Sequence, residues 1–281
     1  MLTLRRIGET RRFVAGLRRD GRRIALVPTM GNLHEGHLAL ARLARGHADT
    51  VIASLFVNPL QFGRGEDYGR YPRTLQRDLG LLEAEGVAAV FAPEVDEMYP
   101  VGQEGLTSVE VPGLSTVLEG AIRPGHFAGV ATVVTKLFGI VTPDVAVFGE
   151  KDFQQLAVIR RLVRDLDLGV EIAAGPTVRE PDGLALSSRN QYLSPTERQQ
   201  APALYRSLAA ARRRLAAGDR SFAAIEQEAK TALAAAGFEP DYVAIRRATD
   251  LAPPQAGDEA LVVLGAARLG STRLIDNLRI D

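Results

Sequence analysis

The sequence contains no cysteine among its 281 residues. That absence excludes a disulfide scaffold, a thiolate nucleophile and any thiolate metal site. An excess of charge is also missing, since 34 lysines and arginines face 34 aspartates and glutamates. Without a net field to grip a phosphate backbone, a nucleic-acid partner is disfavoured. No apolar run approaches the roughly 20 residues that a membrane span needs. Residues 1–21 are rich in arginine and hold no apolar stretch of signal-peptide length. The expectation is a soluble, cytoplasmic protein with no membrane and no nucleic-acid partner.

What is present is an ordinary globular balance of 46% hydrophobic and 24% charged residues, enough for one large core or for a larger and a smaller domain. Leu4, Ile7, Phe13, Val14 and Leu17 space out as a short amphipathic helix. Strands are expected at 24–28, 51–57, 88–92, 145–148 and 170–173, with a further one at 108–111. Helical patterns fall at 37–45, 72–85, 129–141 and 153–166. Strands alternating with helices in this way predict an α/β fold, a doubly wound, Rossmann-like parallel sheet with right-handed crossovers. After about Thr177 the composition changes. Ser194-Pro195-Thr196-Glu197 is a helix start, with a capping serine, proline at the first position and glutamate three residues after the cap. Helices are expected at 195–217 and 221–236, and strands at 242–246, 260–264 and 273–275. The expected division is 1–177 as the nucleotide-type domain and 178–281 as a smaller α+β domain.

The chemistry-bearing residues gather at expected strand ends. Pro28-Thr29-Met30-Gly31-Asn32-Leu33-His34-Glu35-Gly36-His37 lies where the strand at 24–28 runs into a helix. A helix N-terminus there offers unpaired N–H groups and a positive dipole end, which suits phosphate. Gly31 and Gly36 let the backbone turn tightly. His34 and His37, three apart, share a face over one turn and can donate to phosphate oxygens. The alternatives are two surface caps or a metal pair, and for a metal the loop adds only Glu35. Phosphate binding is the preferred reading.

Four other segments carry polar groups. In Phe148-Gly149-Glu150-Lys151-Asp152-Phe153-Gln154-Gln155, Lys151 can reach a phosphate and Asp152 a ribose hydroxyl, or both sit on a surface turn. Leu186-Ser187-Ser188-Arg189-Asn190 offers two hydroxyls and a guanidinium to a polyphosphate, or simply caps a helix. Gln61, in the segment that also holds Asn58, suits hydroxyls or a carboxylate. Arg123-Pro124-Gly125-His126-Phe127 is a turn with two possible cations, or an exposed loop.

Taken together, these segments, with Tyr71-Pro72-Arg73-Thr74 and Tyr192-Leu193-Ser194, resemble the pantothenate synthetase (pantoate–β-alanine ligase) family over nearly the whole chain. The His-x-Gly-His and serine–arginine pair also looks like the ATP signatures of class I aminoacyl-tRNA synthetases. The resemblance implies an adenylate-forming core and a two-step reaction: pantoate and ATP give pantoyl adenylate and pyrophosphate, and β-alanine then displaces AMP to give pantothenate. It implies His34 and His37 on the phosphates, with His37 the proton donor. Lys151, Ser187, Ser188 and Arg189 then hold the phosphate tail. The remaining ATP contacts implied are Met30, Gly31, Asn32, Leu33, Glu35, Gly36, Gly149, Glu150, Asp152, Val178 and Leu186. Gln61, Gln155 and Asn58 grip pantoate or β-alanine, Arg123 and His126 lie near substrate or position a loop, and Asp78 helps place Mg2+. A homodimer, with 178–281 as a lid, is also implied. The family's methionine before the two serines is Leu186 here, a conservative apolar exchange. Another nucleotidyltransferase of the same core, and a non-catalytic ATP-binding protein, are the competing readings.

Overall fold

β-Branched and alanine-rich runs in the first half of the chain form one parallel sheet. The computed structural model describes residues 1–63 and 65–280. It divides into two units, Met1–Glu150 with Val158–Pro176, and Lys151–Ala157 with Thr177–Asp281.

The first unit runs β1 (Leu2–Leu4), α1 (Ile7–Arg19), β2 (Ile24–Thr29), α2 (Glu35–Arg45), β3 (Thr50–Leu55), α3 (Leu75–Ala84), β4 (Ala89–Phe91), α4 (Val95–Met98), α5 (Glu119–Ile122), α6 (His126–Val141), β5 (Val145–Gly149), the helix α7 (Phe153–Asp165) and β6 (Glu171–Gly175). Of α7, the part from Val158 onward belongs to this unit. The six strands are parallel in the order β1-β4-β3-β2-β5-β6. Every residue of β3 is buried, as expected for a strand covered on both faces. Each Val, Ile or Leu so enclosed contributes about 1.5–3 kcal/mol.

Strand order reverses between β2 and β5, because the chain passes from β2 to β3 and β4 on one side and from β5 to β6 on the other. β2 follows β3 from Ile24↔Thr50 to Thr29↔Leu55. It pairs with β5 at Ala25↔Val145 and Leu26↔Ala146. The two strands therefore separate toward their carboxyl ends, and such a switch point is where α/β sheets take ligands. α6 is buried nearly all round, as a helix must be when apolar residues occupy every face.

The second unit holds α8 (Pro195–Gln200), α9 (Ala203–Ala216), α10 (Phe222–Ala235), β7 (Glu239–Arg247), β8 (Leu261–Leu269) and β9 (Thr272–Ile280). The strands form an antiparallel sheet in the order β7-β8-β9. Leu204, Leu208 and Leu215 of α9 and Ile225 and Leu233 of α10 share its core with Val243, Val263 and Leu274.

Three expectations needed correction. Residues 108–111 are not a strand; the Val109 N–H donates instead to the Thr132 hydroxyl of α6 at 2.9 Å. The helix expected at 195–217 is two helices, because Pro202 has no N–H to continue the ladder and its ring crowds the preceding turn. Leu4 belongs not to the first helix but to β1, which pairs with β4 through Leu4↔Phe91. The capping box at Ser194 and Glu197 forms as expected, with Ser194 N donating to Glu197 Oε2 at 2.7 Å.

Candidate functional site

β2 ends at Thr29, and the chain must turn sharply to start α2 six residues later. It does so through two successive left-handed residues, Gly31 at φ 83° and Asn32 at φ 50°. Glycine meets the first requirement without strain and asparagine tolerates the second. The Thr29 hydroxyl accepts from Gly31 N at 3.2 Å and donates to the Ser54 carbonyl at 2.9 Å. From α3, Asp78 Oδ2 accepts from Asn32 N at 2.8 Å and Asp78 Oδ1 from Leu33 N at 2.9 Å. Leu33 is a core side chain, so it contributes its backbone alone to this turn.

His34 is the N-cap of α2, and its Nδ1 accepts from Gly36 N at 3.2 Å. His37 Nδ1 accepts from His34 N at 3.3 Å. An acceptor Nδ1 places the proton of a neutral imidazole on Nε2, so both rings carry an Nε2–H donor. The ring centroids are 4.1 Å apart. Glu35 is otherwise engaged. Hydrogen bonding from Arg42 holds its carboxyl below the usual carboxylate range, and Arg42 also pairs with Glu85. Glu35 is therefore part of a surface ion network, and no group of three or more His, Asp or Glu side chains is placed to hold a metal among the described residues.

The loop after β3 builds a second polar cluster in the same unit. Asn58 opens a short turn, Pro59–Gln61, by accepting from Leu60 N at 3.3 Å. Its amide donates to Gln61 Oε1 at 3.0 Å and to the Gly129 carbonyl at 3.1 Å, while its oxygen accepts from the Tyr99 hydroxyl at 2.7 Å. Gln61 Nε2 lies 3.1 Å from Met30 Sδ, which joins this cluster to the first loop. Burial pushes the Tyr99 phenol well up from its ordinary value, so it stays a donor. Gly129 permits the contact with α6, since a Cβ there would lie 2.3 Å from the Leu60 carbonyl oxygen.

Arg123 and His126 support this turn from α6 and the loop before it. Arg123 grips Glu66 with two hydrogen bonds of 2.7 and 2.6 Å and donates to the Gln61 carbonyl at 3.2 Å. His126 Nδ1 donates to the same carbonyl at 2.8 Å, and its Nε2 accepts from Arg123 at 3.1 Å. Burial, reinforced by the Arg123 charge, lowers the His126 pKa from 6.5 to about 4. The folded state thus refuses a proton that the unfolded chain accepts. The stability this confers is complete above pH 6.5 and is lost as the pH falls through the window from 6.5 to about 4. The full loss is about 3 kcal/mol. Urea midpoints measured at pH 7 and pH 4.5 should accordingly differ less in His126→Gln than in the parent; an equal difference in both would remove His126 as the cause.

In the second unit, Lys151, Ser187, Asn190, Tyr205 and Asp276 line one recess. Lys151 Nζ is 3.9 Å from Asp152 Oδ1. The Lys151 carbonyl accepts from Asn277 Nδ2 at 2.8 Å, and Asp276 Oδ1 accepts from Asn277 N at 2.8 Å. Arg179 holds Asp276 with two bonds of 2.6 and 2.8 Å, and its guanidinium lies 4.5 Å from the Tyr205 ring centroid. Ser187 Oγ accepts from Arg189 N at 3.2 Å, starting the turn Ser188–Tyr192. Leu186 N donates to the Val178 carbonyl at 3.0 Å. Two backbone groups expected to face adenosine thus pair with each other. Gln155 is half-buried on α7 beside the fully buried Gln154.

The expected site residues divide between the units. Met30 to His37, Asn58, Gln61, Asp78, Arg123, His126, Gly149 and Glu150 lie in the first, with Lys151, Asp152, Gln155, Val178 and Leu186 to Arg189 in the second. Sequence reasoning missed Glu66, Tyr99, Gly129, Arg179, Asp276 and Asn277. Only Gly129, a glycine inside a helical pattern, carried a local signal.

The model of the family described as pantoate-beta-alanine ligase matches residues 2–279. The pantothenate synthetase of Thioalkalivibrio sulfidiphilus is 60% identical over 264 residues, covering 94% of this chain and 92% of its own. The crystal structure of pantothenate synthetase from Thermus thermophilus superposes with a TM-score of 0.92 at 52% identity, covering 99% of each chain. A pantoate-beta-alanine ligase from Francisella tularensis, crystallised with beta-gamma ATP and β-alanine, superposes with a TM-score of 0.83 at 34% identity, covering 99% of this chain and 97% of its own.

Proposed function

The chain belongs to the pantoate–β-alanine ligase family, and from that premise we propose how its residues divide the work. The reaction is the ATP-dependent joining of pantoate and β-alanine to pantothenate, with release of AMP and pyrophosphate. A carboxylate becomes an acylating agent only when one of its oxygens turns into a good leaving group. In our reading a pantoate carboxylate oxygen attacks the α-phosphorus and the bond to pyrophosphate breaks. The β-alanine nitrogen then attacks the acyl carbon, loses a proton and expels AMP, which departs with that oxygen.

The observation that carries this assignment of roles is the turn after β2, where each imidazole accepts a backbone N–H at Nδ1 and so turns Nε2 into its donor. Two imidazole N–H donors at a helix N-terminus suit negative charge growing on phosphate oxygens. His37 is our proton donor and His34 its partner on the phosphates. Lys151, Ser187, Ser188 and Arg189 hold the phosphate tail. Gly149, Asp152 and the backbone near Val178 and Leu186 receive adenosine. Gln61 and Gln155 grip pantoate, with Gln61 held in place by Asn58, Arg123 and His126. Residues 178–281 act as a lid in this reading, and the working form is a cytoplasmic homodimer. Among the described residues no helix is long and apolar enough to cross a membrane.

Mg2+ enters this scheme with the nucleotide, since this ion is commonly held by substrate phosphates and water with one or two carboxylates. The donors around Asp78 do not fit a resident ion, because each of its oxygens already accepts a backbone N–H. No step is assigned to the metal.

The test is isotopic. With pantoate labelled by 18O in its carboxylate, one label should appear in AMP and pyrophosphate should form only when pantoate and ATP are both present. Amide product formed with unlabelled AMP would exclude the adenylate.

A further inference from the structure

We propose that Asp78 is a positioning residue that fixes the His34–His37 turn, and that it does so in place of binding magnesium. The inference rests on the ligase reading, because its effect is read in turnover.

The side chain is 1% exposed. Three donors converge on it: Asn32 N at 2.8 Å, Leu33 N at 2.9 Å and the Thr74 hydroxyl at 3.0 Å. Successive backbone N–H groups in a left-handed turn make an anion cradle. Here a carboxylate from α3, 46 and 45 residues away, fills that cradle. The turn cannot rotate without breaking one of these bonds inside the protein, where an unpaired N–H is costly. Its far end is pinned as well, because Leu33 is 1% exposed in the core and His34 caps α2. The two histidines therefore leave a segment whose backbone has one available shape.

The geometry is exacting about the group at 78. An amide offers one acceptor oxygen and places an NH2 against either Asn32 N–H or Leu33 N–H. A side chain on Gly31 would press on the same carboxylate, since a Cβ there would lie 3.1 Å from Asp78 Oδ2. A displacement of about 1 Å in a reacting group costs up to a hundredfold in rate.

The experiment uses full-length Asp78→Asn and the milder Thr74→Val. We expect Asp78→Asn to lower kcat by about ten- to a hundredfold, with the KM for ATP and the half-saturating Mg2+ concentration within about twofold of the parent. Thr74→Val should show the same pattern at a few-fold. Long-range 1H–15N spectra of the imidazoles, recorded without substrates, should show the Nδ1 signals of His34 and His37 displaced in Asp78→Asn. A tenfold rise in the Mg2+ requirement with unmoved imidazole signals would overturn the proposal in favour of a metal ligand. Parental turnover would overturn it outright. Should Asp78→Asn not fold, Thr74→Val decides by the same criteria. A parent protein that makes no amide would sink the ligase reading instead, while the imidazole spectra would still report on the clamp.

Discussion

Gly129→Ala should lower turnover by about a hundredfold, although it adds only one methyl group. The added Cβ would meet the Leu60 carbonyl oxygen at 2.3 Å, its carbon at 2.5 Å and Gln61 N at 2.8 Å. All three are backbone atoms, so no side-chain rotation relieves the clash. The helix on which Gly129 sits is buried on nearly every face and cannot retreat cheaply. The Pro59–Gln61 turn must therefore move, and with it the Asn58 amide bonded to the Gly129 carbonyl at 3.1 Å. A shift of about 1 Å at Gln61 is enough for a loss of that size. The overpacked variant should also lose roughly 1–3 kcal/mol of stability. Gly139, on the same helix, is the control, because a Cβ there meets nothing within 4 Å. Gly139→Ala should gain up to about 1 kcal/mol from helix propensity and keep its activity. Steady-state kinetics and thermal melts of both variants check the pair. Parental kinetics in Gly129→Ala would mean that the turn does not position substrate.

His37→Ala should also cost on the order of a hundredfold in kcat, the usual effect of losing one transition-state donor. Folding should survive. The bond lost at Nδ1 is a long one, 3.3 Å from His34 N, and the residue is only partly buried at the start of α2. His37→Gln keeps an N–H donor of similar reach and should recover part of the loss. Both variants are checked by turnover and by urea unfolding. An alanine variant with unchanged turnover would remove His37 from the mechanism, and a collapse in stability would make it a structural cap.

The strand-end loops were legible because their signals are short-range. Pro28 to His37 holds two glycines and two histidines within ten positions, and the β2 run before it fixes which end of the sheet they occupy. The same holds for Gly149 to Gln155 after β5. The roles inside those loops were less legible. Glu35 looks like a site carboxylate in sequence, yet it pairs with Arg42 two turns along the same face of α2. Arg123 and His126 read as two possible cations that lie near substrate or position a loop, and the fold turns them onto the Gln61 carbonyl, with the Arg123 charge answered by Glu66. Asp78 was a candidate for placing Mg2+ through the family resemblance alone, and its three donors, two of them more than forty residues away, leave no mark in the sequence around it.

Composition, apolar periodicity and the chemistry of the turn residues determined the α/β class, most elements and the loops that carry polar groups. Each of those depends on neighbours within a few positions, and a helix or strand buries a face that repeats along the chain. The clamps were decided by tertiary structure alone. Asp78 meets Asn32 across 46 residues and Arg179 meets Asp276 across 97. Which donor answers a buried carboxylate depends on how separate elements pack, and that leaves no periodic trace in the sequence.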